Sequence, residues 1–136
     1  MYKKIIVPVE MGQLEKGEKI LAKAKTLLDT GGEIVLMSVT EIVPAYVAIE
    51  LPADLVDQSV RDAEVKLREM NAKHGGHARI KVVIGSPARD ILNIAEEEHA
   101  DLIIIGSHRP DFYNYLIGAT ADRVVRHAKC SVLVDR

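Results

Sequence analysis

The chain has 136 residues, 48% hydrophobic and 28% charged, which is enough apolar material for one core and too little length for two comfortable domains. A formal net charge of −2, with 18 Lys and Arg scattered along the chain, lacks the concentrated basic footprint of a nucleic-acid binder. No apolar run reaches bilayer-spanning length and no signal segment precedes the first apolar run, so the expectation is a cytoplasmic protein with no membrane partner.

In chain order, residues 5–9 form a short apolar run that predicts a first strand, punctuated by Pro8 and Glu10. Residues 14–28 then place Leu14, Ile20, Leu21, Ala24, Leu27 and Leu28 near one helical face, and Asp29-Thr30-Gly31-Gly32 is expected to end that helix. Residues 33–40 read as a second strand, with the continuous apolar character of a strand covered on both faces. After a poorly periodic apolar segment, residues 54–73 predict a helix with Leu55, Val56, Val60, Ala63, Leu67 and Met70 on one side. The turn His74-Gly75-Gly76-His77 stops it, and residues 79–84 form a third strand.

Gly85-Ser86-Pro87 starts the next helix, with proline in its first turn. Ile91, Leu92, Ile94 and Ala95 are expected to face the sheet, and Glu96, Glu97 and Glu98 to be solvated. Residues 102–105 form a fourth strand running into Gly106; a polar loop leads to Gly118, which opens a helix, and a last apolar strand closes the pattern. Strands alternating with crossover helices predict an α/β fold, a parallel sheet with helices on both faces. In such sheets ligands bind beyond the carboxyl ends of the strands, where strand order reverses. A glycine at a strand's carboxyl end and another at a helix N-terminus let backbone N–H groups approach an anion, so Gly106 and Gly118 together read as a phosphate site.

Several long motifs in order, namely KKIIVPVE at residues 3–10, GSPARDILNIAEEEHADLIIIGSH at 85–108, RPD at 109–111 and VVRHAKCSVLV at 124–134, resemble the universal stress protein family. RPD followed by YLIG is most similar to the bacterial F and G type subgroup. The resemblance spans residues 1–136 and implies one universal stress protein domain of Rossmann-like, adenine nucleotide α-hydrolase-like fold, with five strands in the order 3-2-1-4-5. It implies ATP or AMP, with or without Mg, as a regulatory or sensory ligand in a stress response. Pro8, Val9 and Glu10 would line the adenine and ribose side, Val39 would offer backbone hydrogen bonds to adenine, and Gly106, Gly118, Ala119 and Thr120 would cradle phosphate.

Three departures mark the family motif G-x2-G-x9-G-[ST]. Arg109 stands at the second glycine, the loop is one residue shorter, and Ala119 replaces the hydroxyl residue, displacing Thr120 by one. Losing that hydroxyl removes a hydrogen bond of ~1 kcal/mol. Arg109 reads either as a bidentate phosphate ligand or as a surface arginine paired with Asp111, and His108 as a phosphate neighbour or an exposed loop histidine. Glu10, where the family writes Asp, is a ribose or metal-mediated contact or simply a charged loop residue.

Catalytic signals are weak. No GxxxxGK[ST] motif occurs, Ser107-His108 has no evident orienting acid, and the five histidines include no helix-spaced pair typical of zinc enzymes. His74 and His77 flank a glycine turn, and His127 reads as a residue that packs or caps near its helix end. The single cysteine, Cys130, falls in the last predicted strand and is expected to be a buried, inert thiol in a reducing compartment. The reading is a binding protein rather than an enzyme, with a non-nucleotide-binding dimeric interaction module as the alternative. The apolar last strand, Ser131, Val132, Leu133 and Val134, would be a sheet edge in the implied order, and with the family resemblance it points to a homodimer through that strand.

Overall fold

Residues 5–7, 34–37 and 102–105 are buried almost without interruption, and they form the three central strands of a five-stranded sheet. The computed structural model describes residues 1–41, 54–107 and 118–136. Strands β1 (Tyr2–Pro8), β2 (Leu28–Glu41), β3 (Arg79–Gly85), β4 (Leu102–Gly106) and β5 (Ser131–Asp135) lie in the order β3-β2-β1-β4-β5, every pair parallel. Helices α1 (Leu14–Leu27), α2 (Leu55–Lys73), α3 (Pro87–Glu97) and α4 (Ala119–His127) connect them.

Strand alternation divides the core into two layers. Ile5, Val7, Ile34, Leu36, Leu102 and Ile104 face α1 and α2, packing on Ile20, Leu21, Ala24, Leu67 and Met70. Ile6, Val35, Met37, Ile103 and Ile105 face α3 and α4, meeting Ile91, Ile94, Ala121 and Val124. Both faces being covered explains why these strands read as continuous apolar runs rather than alternating ones.

Four expectations change. The Asp29-Thr30-Gly31-Gly32 stretch lies within β2 instead of ending α1: the register jumps from Tyr2↔Leu28 to Lys4↔Glu33, so the glycines form a bulge, with Gly31 at φ +82°. Leu28 is thereby free to pair with Tyr2 and pack on the α1 layer. Along α2, burial is confined to Ala63, Leu67 and Met70, while Leu55 is exposed. That helix, at roughly 1.5 Å per residue, is longer than β3, the strand it leads into. Cys130 precedes β5 and is half-buried, with burial pushing its thiol pKa up.

Glu98 is the fourth change. Among the three consecutive glutamates, Glu96 and Glu97 are exposed, but the Glu98 side chain is 14% exposed, bonded to Arg79 and 3.4 Å from the Lys4 ammonium. Lys4 also reaches Glu33 at 2.7 Å and Arg79 reaches Glu33 at 3.1 Å, closing a four-membered network across the amino ends of β1, β2 and β3. The Arg79 guanidinium holds the Glu98 carboxyl below the usual range, and Lys4 does the same for Glu33. Beside it, Asp101 accepts the backbone N–H groups of Lys3 and Lys4, both at 2.9 Å. Burial works against its ionisation, but those N–H groups outweigh burial and lower its pKa.

Candidate functional site

At the opposite end of the sheet, β1 and β4 are neighbours whose connections leave on different sides, and a cavity of ≈ 420 Å³ opens there. After Pro8 the chain leaves the sheet through Val9 and Glu10 into a 3-10 turn, Met11–Gln13. Val9 still donates its N–H to Met37 O at 2.8 Å, which is the last bond between the first two strands. Backbone alternation turns Val39, two residues beyond Met37, toward the same side, one step past the point where β1 has gone. Its N–H and C=O therefore look into the crevice.

Pro8, Val9, Glu10, Val39, Gly106 and Thr120 all line this cavity, so four segments far apart in sequence meet at the switch point. Gly118 and Ala119 are outside the lining; Gly118 N-caps α4, and Ala119 is the helix's exposed first residue. His108 and Arg109 lie outside the described residues, as does most of the connection between β4 and α4.

The two glycines act differently from one another. Gly118 has φ +84° and ψ 158°, a region that costs any side-chain-bearing residue about 1–3 kcal/mol. The N-cap Gly118 has no side chain and none caps α4 among the described residues, so the first-turn N–H groups of Ala119, Thr120 and Ala121 are donors suited to an external acceptor. The sequence reads Gly106 as a place where the backbone turns sharply and a ribose or phosphate comes close; in the structure it is an ordinary strand residue, with Ser107 N–H still bonded to Asp135 O at 2.8 Å. What its missing Cβ provides is space: a Cβ there would sit 3.1 Å from Lys16 Cε and 3.3 Å from Ile20 Cδ1.

Lys16, Gly17, Ser38, Pro87 and Ile91 also line the cavity and escaped the sequence reading. Lys16 and Gly17 stand one turn into α1, where nothing in the periodicity distinguishes them from solvent-facing positions. Ser38 lies inside an apolar run, and being 4% exposed it is the buried polar residue of the described core. His127 and Cys130 belong instead to a separate cleft of ≈ 210 Å³ with His99 and Lys129. Among the described residues no three His, Cys, Asp or Glu side chains are grouped to hold a metal, and no helix is long and apolar enough to cross a membrane.

Known proteins with this architecture share its sequence signals. Universal stress protein G of Escherichia coli O157:H7 is 33% identical over 145 residues, covering 100% of both chains. The solved structure of hypothetical protein MJ0577 superimposes with a TM-score of 0.81 at 27% identity, covering 98% of this chain and 95% of that one. The universal stress protein from Archaeoglobus fulgidus in complex with dAMP superimposes at 0.62 with 19% identity, covering 99% and 98%. With the universal stress protein family model matching residues 1–136, the chain belongs to the universal stress protein family.

Proposed function

We propose that this protein binds an adenine nucleotide, ATP or AMP, in the cavity between β1 and β4, as a regulatory ligand rather than a substrate. The observation that carries the reading is the convergence of Pro8, Val9, Glu10, Val39, Gly106 and Thr120 on one cavity at the switch point. Adenine fits the apolar β1–β2 side, where Val39 presents a free backbone edge to a base. Phosphate fits the α4 side, where uncapped N–H groups form the positive end of a helix. A fold relative with dAMP bound supports the ligand class. On this reading turnover of Mg-ATP should fall far below the ordinary enzymatic range of ~1–1,000 per second.

The test has two arms. Nucleotide released on denaturing freshly purified protein should be adenine-based, and calorimetry should give measurable AMP or ATP affinity that Gly118→Asp abolishes by placing a side chain and a negative charge at the α4 N-terminus. Unchanged affinity in that variant would remove the site assignment. Absence of any nucleotide affinity in the wild type would leave the dimeric interaction module as the better reading.

The assembly we propose is a homodimer through β5, working in the cytoplasm. β5 is the outer strand of the sheet, with Val132, Leu133 and Val134 half-buried. Because Asp135 O accepts from Ser107, alternation turns Ser131 and Leu133 toward β4, and Val132 and Val134 toward the open edge. An open edge is a template for pairing, and two antiparallel copies satisfy each other reciprocally. Val132→Pro removes an outward N–H without touching the β4 ladder, so light scattering should report monomer for the variant and dimer for the wild type. A monomeric wild type at micromolar concentration would refute the assembly.

A further inference from the structure

We infer that Lys16 is the charged ligand of the nucleotide phosphate and that it makes the site prefer phosphorylated adenine nucleotides over adenosine. The inference rests on the adenine-nucleotide reading above and adds the residue that supplies charge. Three features of the fold lead to it. Lys16 lines the cavity half-buried, and among the described residues its ammonium makes no ion pair or hydrogen bond. On the same helix, Lys23 pairs with Asp135 and Lys25 donates to His74 O at 2.6 Å, so their charge is already used. A half-buried lysine in a cavity, with no counter-charge among the described residues, is a position where an anion is favoured.

The second feature is placement. The Lys16 stem crosses the face of Gly106, with Cε at 3.1 Å and Cδ at 3.4 Å from where a Cβ would stand, and Ile20 Cδ1 lies beside it at 3.3 Å. That contact pins the side chain over the carboxyl end of β4. A Cβ at this position would crowd the stem and make it shift, which gives Gly106 a role that strand geometry alone does not require.

The third feature is what stands across the strand. Ile105 packs in the layer that contains Ala121, so α4 approaches the end of β4 from one face while α1 brings Lys16 from the other. An anion above β4 would therefore meet the ammonium on one side and the first-turn N–H groups of α4 on the other. The carboxylates of the lining, Glu10 and Glu41, belong to the ends of β1 and β2. Among the described lining residues the lysine thus stands at the β4 end and the carboxylates toward the other two strands.

The experiment is calorimetry of the full chain with adenosine, AMP and ATP at low and high salt, on the wild type and on Lys16→Met and Lys16→Arg. Methionine keeps an apolar stem over Gly106 and removes the charge, so a thermal melt near that of the wild type verifies folding. Lys16→Met should weaken AMP and ATP by about tenfold or more, the size of one charge-assisted hydrogen bond, and leave adenosine unchanged. It should also flatten the salt dependence of AMP binding, and Lys16→Arg should restore part of both. AMP and ATP affinities within about twofold of wild type in Lys16→Met would overturn the inference while leaving the nucleotide site standing. Equal wild-type affinity for adenosine and AMP would overturn it too. A wild type that binds none of the three would remove the adenine-nucleotide reading itself.

Discussion

The two ends of the sheet are built on opposite principles. At the amino end, Lys4, Glu33, Arg79 and Glu98 neutralise one another and Asp101 ties down the start of β1. At the carboxyl end β1 stops short of β2, and among the described residues α4 is uncapped and Lys16 has no partner. One end has its polar groups satisfied internally; the other, among the described residues, leaves helix donors and a charge open. Satisfied polar groups hold a structure together, whereas groups left open in a cavity are available for binding. The ion-pair network and the proposed nucleotide site thereby stand where a mutation can reach one without the other.

The largest effect should come from the core that both ends share. Ile104→Ala removes a fully buried side chain and should cost about 2–5 kcal/mol, lowering the denaturant midpoint and nucleotide affinity together. Independent movement of the two in that variant would mean that the ends are not coupled through the core.

Gly17→Ala breaks the carboxyl end. A Cβ there would lie 2.8 Å from Val9 Cγ1 and 3.3 Å from Met70 Cε, so overpacking of about 1–3 kcal/mol should outweigh the helix-propensity gain of about 1 kcal/mol. Melts should show a net loss, and calorimetry a weaker nucleotide, since Val9 lines the cavity. A stabilised variant would show that α1 can move away from β1 at little cost.

Glu98→Gln breaks the amino end and should cost about 1 kcal/mol, because its partners are themselves partly solvated, while nucleotide affinity stays unchanged. The pH dependence follows from the same groups. Glu33, Glu98 and Asp101 have folded pKa values below their unfolded ones, so their contribution is present above the ordinary carboxylate range and is lost as pH falls through the lowered values. Melting temperature should drop below about pH 4.5, less steeply in Glu98→Gln than in the wild type. Parallel curves would remove Glu98 from that account.

The smallest effect belongs to a pair at neither end. Lys129 and Glu96 meet at 2.8 Å on the open surface, with exposures of 81% and 64%. Lys129→Ala should leave the melting temperature and nucleotide affinity unaltered, and a clear shift in either would mean that exposed pairs count here for more than their solvation allows.

The sequence by itself determined what depends on near neighbours along the chain. Apolar runs at residues 5–7, 34–37 and 102–105 required strands covered on both faces, the spacing of Ile20, Leu21 and Ala24 required a helix packed by one side, and alternation of the two required a parallel sheet. Val9, Glu10, Gly106 and Thr120 were legible from their place at a strand end or helix start once the family resemblance implied the strand order, whereas Pro8 and Val39 were named through that resemblance alone. Tertiary structure decided what depends on distant segments. Glu98 looked like part of a solvated acidic run until β2 and β3 brought Glu33 and Arg79 to the site where Lys4 begins β1. Gly106 looked like a turn until α1 laid Lys16 across it, and Lys16 looked like any surface lysine for the same reason. Periodicity records which face of an element is apolar; only packing records which distant side chain that face meets, because the contact is made across 90 residues of chain and leaves no local trace.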